Sequence, residues 1–204
     1  MGAGEQTEYV EDLVQRVTHA SADAPAVCHL DTGVLRARTL LEGSLAPSDR
    51  HSIFGGPGAD VHPHGHGTLM ASLALFGNIE PLLTGRAHVA LRHRLELVRM
   101  QPGPGEQRID PLDYGRATVE AVSHPEVARP DRRRTFCLTL SIDPDEPGEP
   151  TLWSASVDAL ACRQRDLLRP DGSTSEFETV HLRAGHTCPA RTCRGTAFRA
   201  PAVA

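Results

Sequence analysis

Three short apolar runs, each followed by a stretch of helical spacing, constrain the fold of this 204-residue chain more than any other feature. The first is Ala26-Val27-Cys28-His29-Leu30, which exits into Asp31-Thr32-Gly33. A brief apolar run with a polar, glycine-containing exit reads as a buried strand. The second, Arg94–Met100, alternates as a strand does, and the third is Thr135–Ile142. Helical spacing follows over Thr68–Phe76, closed by Gly77, over Asp110–Ser123 through Leu112, Ala117, Val119 and Val122, and over Leu152–Ala161. A further helix is predicted over residues 8–20, where Val10, Leu13, Val14 and Val17 share one face. Strands that alternate with helices need crossover connections. The pattern therefore predicts an α/β fold, with a mainly parallel sheet and helices on both faces.

The same pattern divides the chain. Residues 1–22 read as an N-terminal helical segment, 23–161 as one domain, and 162–204 as an irregular tail. Residues 42–64 are rich in Gly, Ser, Pro and His and read as loop, and four acidic residues with three prolines separate Ile142 from Leu152. Beyond Cys162 hydrophobic periodicity disappears except at Phe177–Leu182, while three of the five cysteines (Cys162, Cys188, Cys193) fall there. Either a natural loop-rich tail or an out-of-frame translation of GC-rich DNA accounts for that composition, and poor order is expected of it.

Hydrophobic residues at 39% and charged residues at 23% suit a globular domain, and no stretch approaches the ~20 apolar residues of a membrane span. A net charge of -5 with scattered arginines argues against nucleic acid as a partner. The run Arg132-Arg133-Arg134 reads as a solvated strand flank. No secretory signal opens the sequence, and five cysteines form no CxxC pairs, so a reducing, cytoplasmic setting is expected.

Chemistry concentrates in two places. Asp31 ends a strand, where open α/β sheets place their active sites, although Asp-Thr-Gly is also ordinary turn chemistry. Gly65-His66-Gly67-Thr68 opens a helix of small residues, so the ring of His66 stands at the helix mouth with room for backbone to approach its flanking glycines. A general base needs that exposure and a carboxylate on its far nitrogen. A glycine-rich loop that merely contains histidines is the alternative.

Val27-Cys28-His29-Leu30-Asp31-Thr32-Gly33-Val34 resembles the Asp motif of the subtilisin-like serine proteases, and Gly65-His66-Gly67-Thr68-Leu69-Met70-Ala71 resembles their His motif. The two occur in the family's order, 35 residues apart. The resemblance spans roughly residues 23–161. It implies a partial subtilisin-like fold, hydrolysis of internal peptide bonds by an Asp-His-Ser mechanism, catalytic roles for Asp31 and His66, and a polypeptide substrate lying along Thr139, Leu140 and Ser141. It implies no cofactor, and no ligand cluster for calcium is visible. Two expected parts are altered. Ala184-Gly185-His186 is the nearest string to the family's Ala-Gly-Asn, which would make His186 the oxyanion donor. Gly195-Thr196-Ala197 has the rhythm of the nucleophile motif, with Ala197 where serine belongs.

An alanine cannot attack a carbonyl. Ser173 and Ser175 lie in a polar turn and read as solvated, and Cys188 and Cys193 as ordinary thiols. The chain is thus expected to be inactive alone, truncated or degenerate in its last third. A binding or regulatory module built on a protease fold is one alternative function. A metal site at His62, His64 and His66, with Asp60 nearby, is another, from a different chemical class.

Overall fold

The computed structural model describes residues 3–141 and 151–166. Helix α1 (Ala3–Arg16) leads into a two-residue strand β1 (Val17–Thr18) and then into β2 (Ala26–Asp31). A short helix α2 (Thr39–Glu42) and a 3-10 turn at Pro47–Asp49 precede β3 (Arg50–Ser52). Next come α3 (His66–Phe76), α4 (Glu80–Thr84), β4 (Val89–Ala90) and β5 (Arg94–Arg99). Helix α5 (Tyr114–Ala128), β6 (Arg134–Leu138) and α6 (Leu152–Asp166) complete the described elements.

Four strands form a wholly parallel sheet in the order β3-β5-β2-β6, and β1 and β4 pair parallel to one another beside it. The central strand β2 is apolar because both of its faces are covered. Cys28, Leu30, Val98, Met100, Phe136 and Leu138 pack beneath Ala117, Ala121 and Val122 of α5 and Val157 of α6. On the opposite face Leu95 and Leu97 meet Val34, Leu41 and Leu45 together with Ala71 and Leu75 of α3. The α/β architecture with helices on both faces is therefore present. No helix among the described residues is long and apolar enough to cross a membrane.

Differences from the sequence reading have local causes. The first helix spans residues 3–16 rather than 8–20, because Val17 and Thr18 leave it to pair with Val89 and Ala90. Strand β3 lies inside the supposed loop 42–64. Its residues, Arg50-His51-Ser52, carry no apolar signal, since an edge strand three residues long is held by pairing to β5 alone. Helix α5 runs past Ser123 and through Pro125 to Ala128. Arg134 supplies what its end lacks, donating from Nη2 to the carbonyls of Pro125 at 3.0 Å and Arg129 at 2.8 Å.

The arginine run is not a solvated flank. Arg132 and Arg134 turn inward at the N-terminal end of the sheet, and only Arg133 is exposed. Arg132 Nη1 donates to Asp49 Oδ2 at 2.9 Å and Glu96 Oε1 at 3.0 Å, and Arg134 Nε donates to Glu96 Oε2 at 2.8 Å. Arg129 Nε completes the cluster on Asp49 Oδ1 at 2.8 Å. Burial works to raise the pKa of Asp49, but Arg132 and Arg129 outweigh it and hold the carboxyl below its ordinary range. The run was misread because its acidic partners lie 36 to 83 residues away in sequence.

Candidate active site

Strand β2 delivers Asp31 to the carboxyl end of the sheet and buries its side chain completely, at 0% exposure. The chain then turns at Gly33, whose φ of 113° and whose Cβ position, 2.1 Å from the Ala59 carbonyl oxygen, admit only glycine. Each oxygen of the Asp31 carboxylate has donors. Thr32 N gives Oδ1 a hydrogen bond of 2.6 Å, His66 Nδ1 reaches the same oxygen at 2.8 Å, and the Thr139 hydroxyl donates to Oδ2. Among the described residues these donors include no arginine or lysine.

Gly65 turns the chain into α3 with a left-handed φ of 67°. It has no side chain with which to cap the helix, so the orphan N–H groups of the first turn find remote acceptors. Gly67 N donates to Thr32 Oγ1 at 3.0 Å. A Cβ on Gly67 would stand 2.0 Å from the Gly33 carbonyl oxygen, so the helix start lies directly against the Asp31 turn. That contact seats His66 beside Asp31. A carboxylate only accepts, so Nδ1 is the donor, and a neutral ring with its proton there has its lone pair on Nε2. The side chain of His66 is 38% exposed.

Beneath the pair lies His29, two residues before Asp31 and on the same side of β2. It is buried, and neither ring nitrogen has a hydrogen-bond partner. Burial pushes its pKa down to about 4, with Asp31 raising it and His66 lowering it. Cys137 faces it in register on β6. Burial, then Asp31, push the Cys137 thiol up, and burial followed by Glu96 does the same to Cys28. Neither thiol is thus a ready thiolate nucleophile.

The residues expected along a substrate divide into three behaviours. Thr139 has its hydroxyl on Asp31, Leu140 packs against the core, and Ser141 is exposed. His186, Ala197, Ser173, Ser175, Cys188 and Cys193, with the segment 167–204, lie outside the described residues. No serine or cysteine among the described residues is hydrogen-bonded to His66. The rings of His62 and His64 sit edge-on at 5.8 Å, and those of His62 and His66 at 5.7 Å. No group of three potential ligands among the described residues is arranged to hold a metal. Sequence reasoning missed Thr32 and the role of Thr139 toward Asp31. The only available signal was a hydroxyl residue directly after the aspartate and another just past a strand.

A family model described as the subtilase family matches residues 22–168, while no curated protein and no solved structure matches the chain. The matched span contains the four-stranded sheet, both of its helical layers and the Asp31–His66 contact. Its members are serine proteases acting on peptide bonds, and with most of its length matched this chain belongs to the subtilase family.

Proposed function

We propose that Asp31 and His66 are the orienting and proton-transferring members of a serine-type endopeptidase site, and that this chain alone turns over little or no protein. The observation that carries the reading is the 2.8 Å contact between His66 Nδ1 and a fully buried Asp31 whose other oxygen holds the Thr139 hydroxyl. In the reaction His66 Nε2 takes the proton of an attacking hydroxyl as that oxygen adds to the peptide carbonyl. Asp31 stabilises the imidazolium that results and keeps the ring from rotating away. The same nitrogen then returns the proton to the departing amine. An extended polypeptide would pair as an added strand with the backbone at Thr139–Ser141, which continues past the end of β6.

The nucleophile and the oxyanion donor are the unfilled roles. Ala197 stands where the resembled motif has its serine, and this substitution favours a second reading, a peptide-binding module on a protease fold. Casein turnover by the full chain and by its His66→Ala variant tests the inactivity on which both readings agree. No turnover by either is expected. Turnover that disappears in His66→Ala would overturn the expected inactivity and leave the endopeptidase reading standing. Zinc or nickel raising the melting temperature would instead favour the metal site at His62, His64 and His66.

A further inference from the structure

Asp60 belongs to neither sequence motif, yet it touches both. Its Oδ1 accepts from Thr32 Oγ1 at 2.8 Å and from His62 N at 3.1 Å. Its Oδ2 accepts from Thr68 N at 2.9 Å and from Thr68 Oγ1 at 2.6 Å. One carboxylate therefore takes four hydrogen bonds from three residues. Thr32 is the neighbour of Asp31, and Thr68 lies two residues beyond His66. Thr68 is also the third residue of α3, so Asp60 supplies the cap that Gly65 cannot, and its negative charge suits the helix N-terminus. Burial works to raise the pKa of Asp60, and the hydrogen bonds from Thr68, Thr32 and His62 overcome it, leaving the group below the ordinary carboxyl range.

The network closes through the hydroxyls it holds. Bound to Asp60, Thr32 Oγ1 has its proton directed away and presents a lone pair to Gly67 N at 3.0 Å. Thr68 Oγ1, likewise donating to Asp60, accepts from Leu35 N at 3.0 Å. Both residues thus grip the segment after Asp31 and the first turn of α3 at once. The distance between Asp31 and His66 depends on how these two segments sit against each other.

We propose that Asp60 is a positioning residue for the Asp31–His66 pair, its carboxylate locking the turn after β2 onto the first turn of α3 through Thr32 and Thr68. This rests on reading Asp31 and His66 as a catalytic pair. Asp60 touches no reacting atom and acts through the two threonines. Without it, the Thr32 and Thr68 hydroxyls lose their acceptor, Thr68 N loses its cap, and α3 is free to withdraw from the Asp31 turn.

The test reads the tautomer of His66 by nitrogen NMR of the full chain labelled at histidine, with His66→Ala used to assign the signals. A ring held on Asp31 carries its proton on Nδ1, with a strongly deshielded proton resonance, whereas a free neutral imidazole favours Nε2–H. The wild-type chain is expected to show the Nδ1–H form almost alone. Asp60→Ala is expected to reduce that form to a minority, and Thr32→Val to shift it the same way. Thr32→Ser, which keeps the hydroxyl, should retain the wild-type spectrum. Should Asp60→Ala not fold, Asp60→Asn, which keeps one acceptor oxygen, is read in its place with an intermediate loss expected. Asp49→Asn at the far end of the sheet controls for lost stability and should leave His66 unchanged at a matched fall in Tm. Retention of the Nδ1–H form in the Asp60 and Thr32→Val variants, or its equal loss in Asp49→Asn, overturns the proposal while the pair stands. A wild-type His66 lacking the Nδ1–H form overturns the pair itself and the positioning role with it.

Discussion

The two ends of the parallel sheet bury carboxylates in opposite ways. At the N-terminal end Asp49 and Glu96, 2% and 1% exposed, face the guanidinium groups of Arg129, Arg132 and Arg134. At the carboxyl end Asp31, equally buried, faces a backbone N–H, a hydroxyl and an imidazole. Guanidinium is charged at every accessible pH, so the first cluster is closed and can only hold β5, β6 and the 3-10 turn together. An imidazole, unlike a guanidinium, carries no permanent charge, so the buried carboxylate of Asp31 is held by hydrogen-bond donors and not by a fixed ion pair. A buried charge with a permanent partner is structural. One held by hydrogen-bond donors alone has no such fixed lock.

Four experiments test how far that contrast holds. The largest effect is expected at the closed end. Glu96→Gln removes the charge that Arg132 and Arg134 share, and breaking such a buried pair costs roughly 3–5 kcal/mol, to be read in urea unfolding. A loss below that of an ordinary surface change would mean the arginines find solvent and the cluster is not a staple.

Next is the pH dependence set by His29. Its folded pKa of about 4 lies below the ordinary histidine value of about 6.5, so the unfolded chain binds a proton that the folded chain refuses. Stability is therefore fully present above pH ~6.5 and falls as pH drops toward ~4, by roughly 3 kcal/mol. Burial also lowers His19 and His51, so the quantity to compare is wild type against His29→Leu across that window. A slope unchanged by His29→Leu would show that the imidazole reaches water when protonated.

A smaller loss is expected from Gly67→Ala. Its new methyl would meet the Gly33 carbonyl and push α3 from the Asp31 turn, at about 1–3 kcal/mol. The Nδ1–H signal of His66 should vanish with it, and survival of that signal would show that the helix start yields without moving the ring. The smallest effect belongs to Asp31→Asn, because its partners are a backbone N–H, a hydroxyl and an imidazole, and no guanidinium is stranded. A change within ~1 kcal/mol is expected in the same urea measurement. A loss as large as that of Glu96→Gln would erase the distinction between the two ends.

The fold was readable because its signals are local. The apolar run before Asp31 and the helical spacing after Gly65 each report which faces of one segment meet the core, and β2, α3, β5, α5 and β6 follow from them. Strand β3 was not readable, since Arg50-His51-Ser52 is a strand only by virtue of its partner on β5. At the candidate site the positions of Asp31 and His66 stood out through the glycines around them. Asp60 drew notice only as a neighbour of histidines, and Thr139 only as part of a cleft strand. Nothing local to either residue says which carboxylate or hydroxyl it will meet.

The sequence by itself determined the alternation of strand and helix, the parallel sheet and the family, because periodicity and short motifs are written in residues close together along the chain. Tertiary structure alone decided where the charges go. It turned Arg132 and Arg134 inward onto Glu96, and it brought the Thr139 hydroxyl to Asp31 across 108 residues. Those partners are selected by strand register and by which helix covers which face. A polar side chain takes whatever donor or acceptor that packing leaves within reach once water is gone.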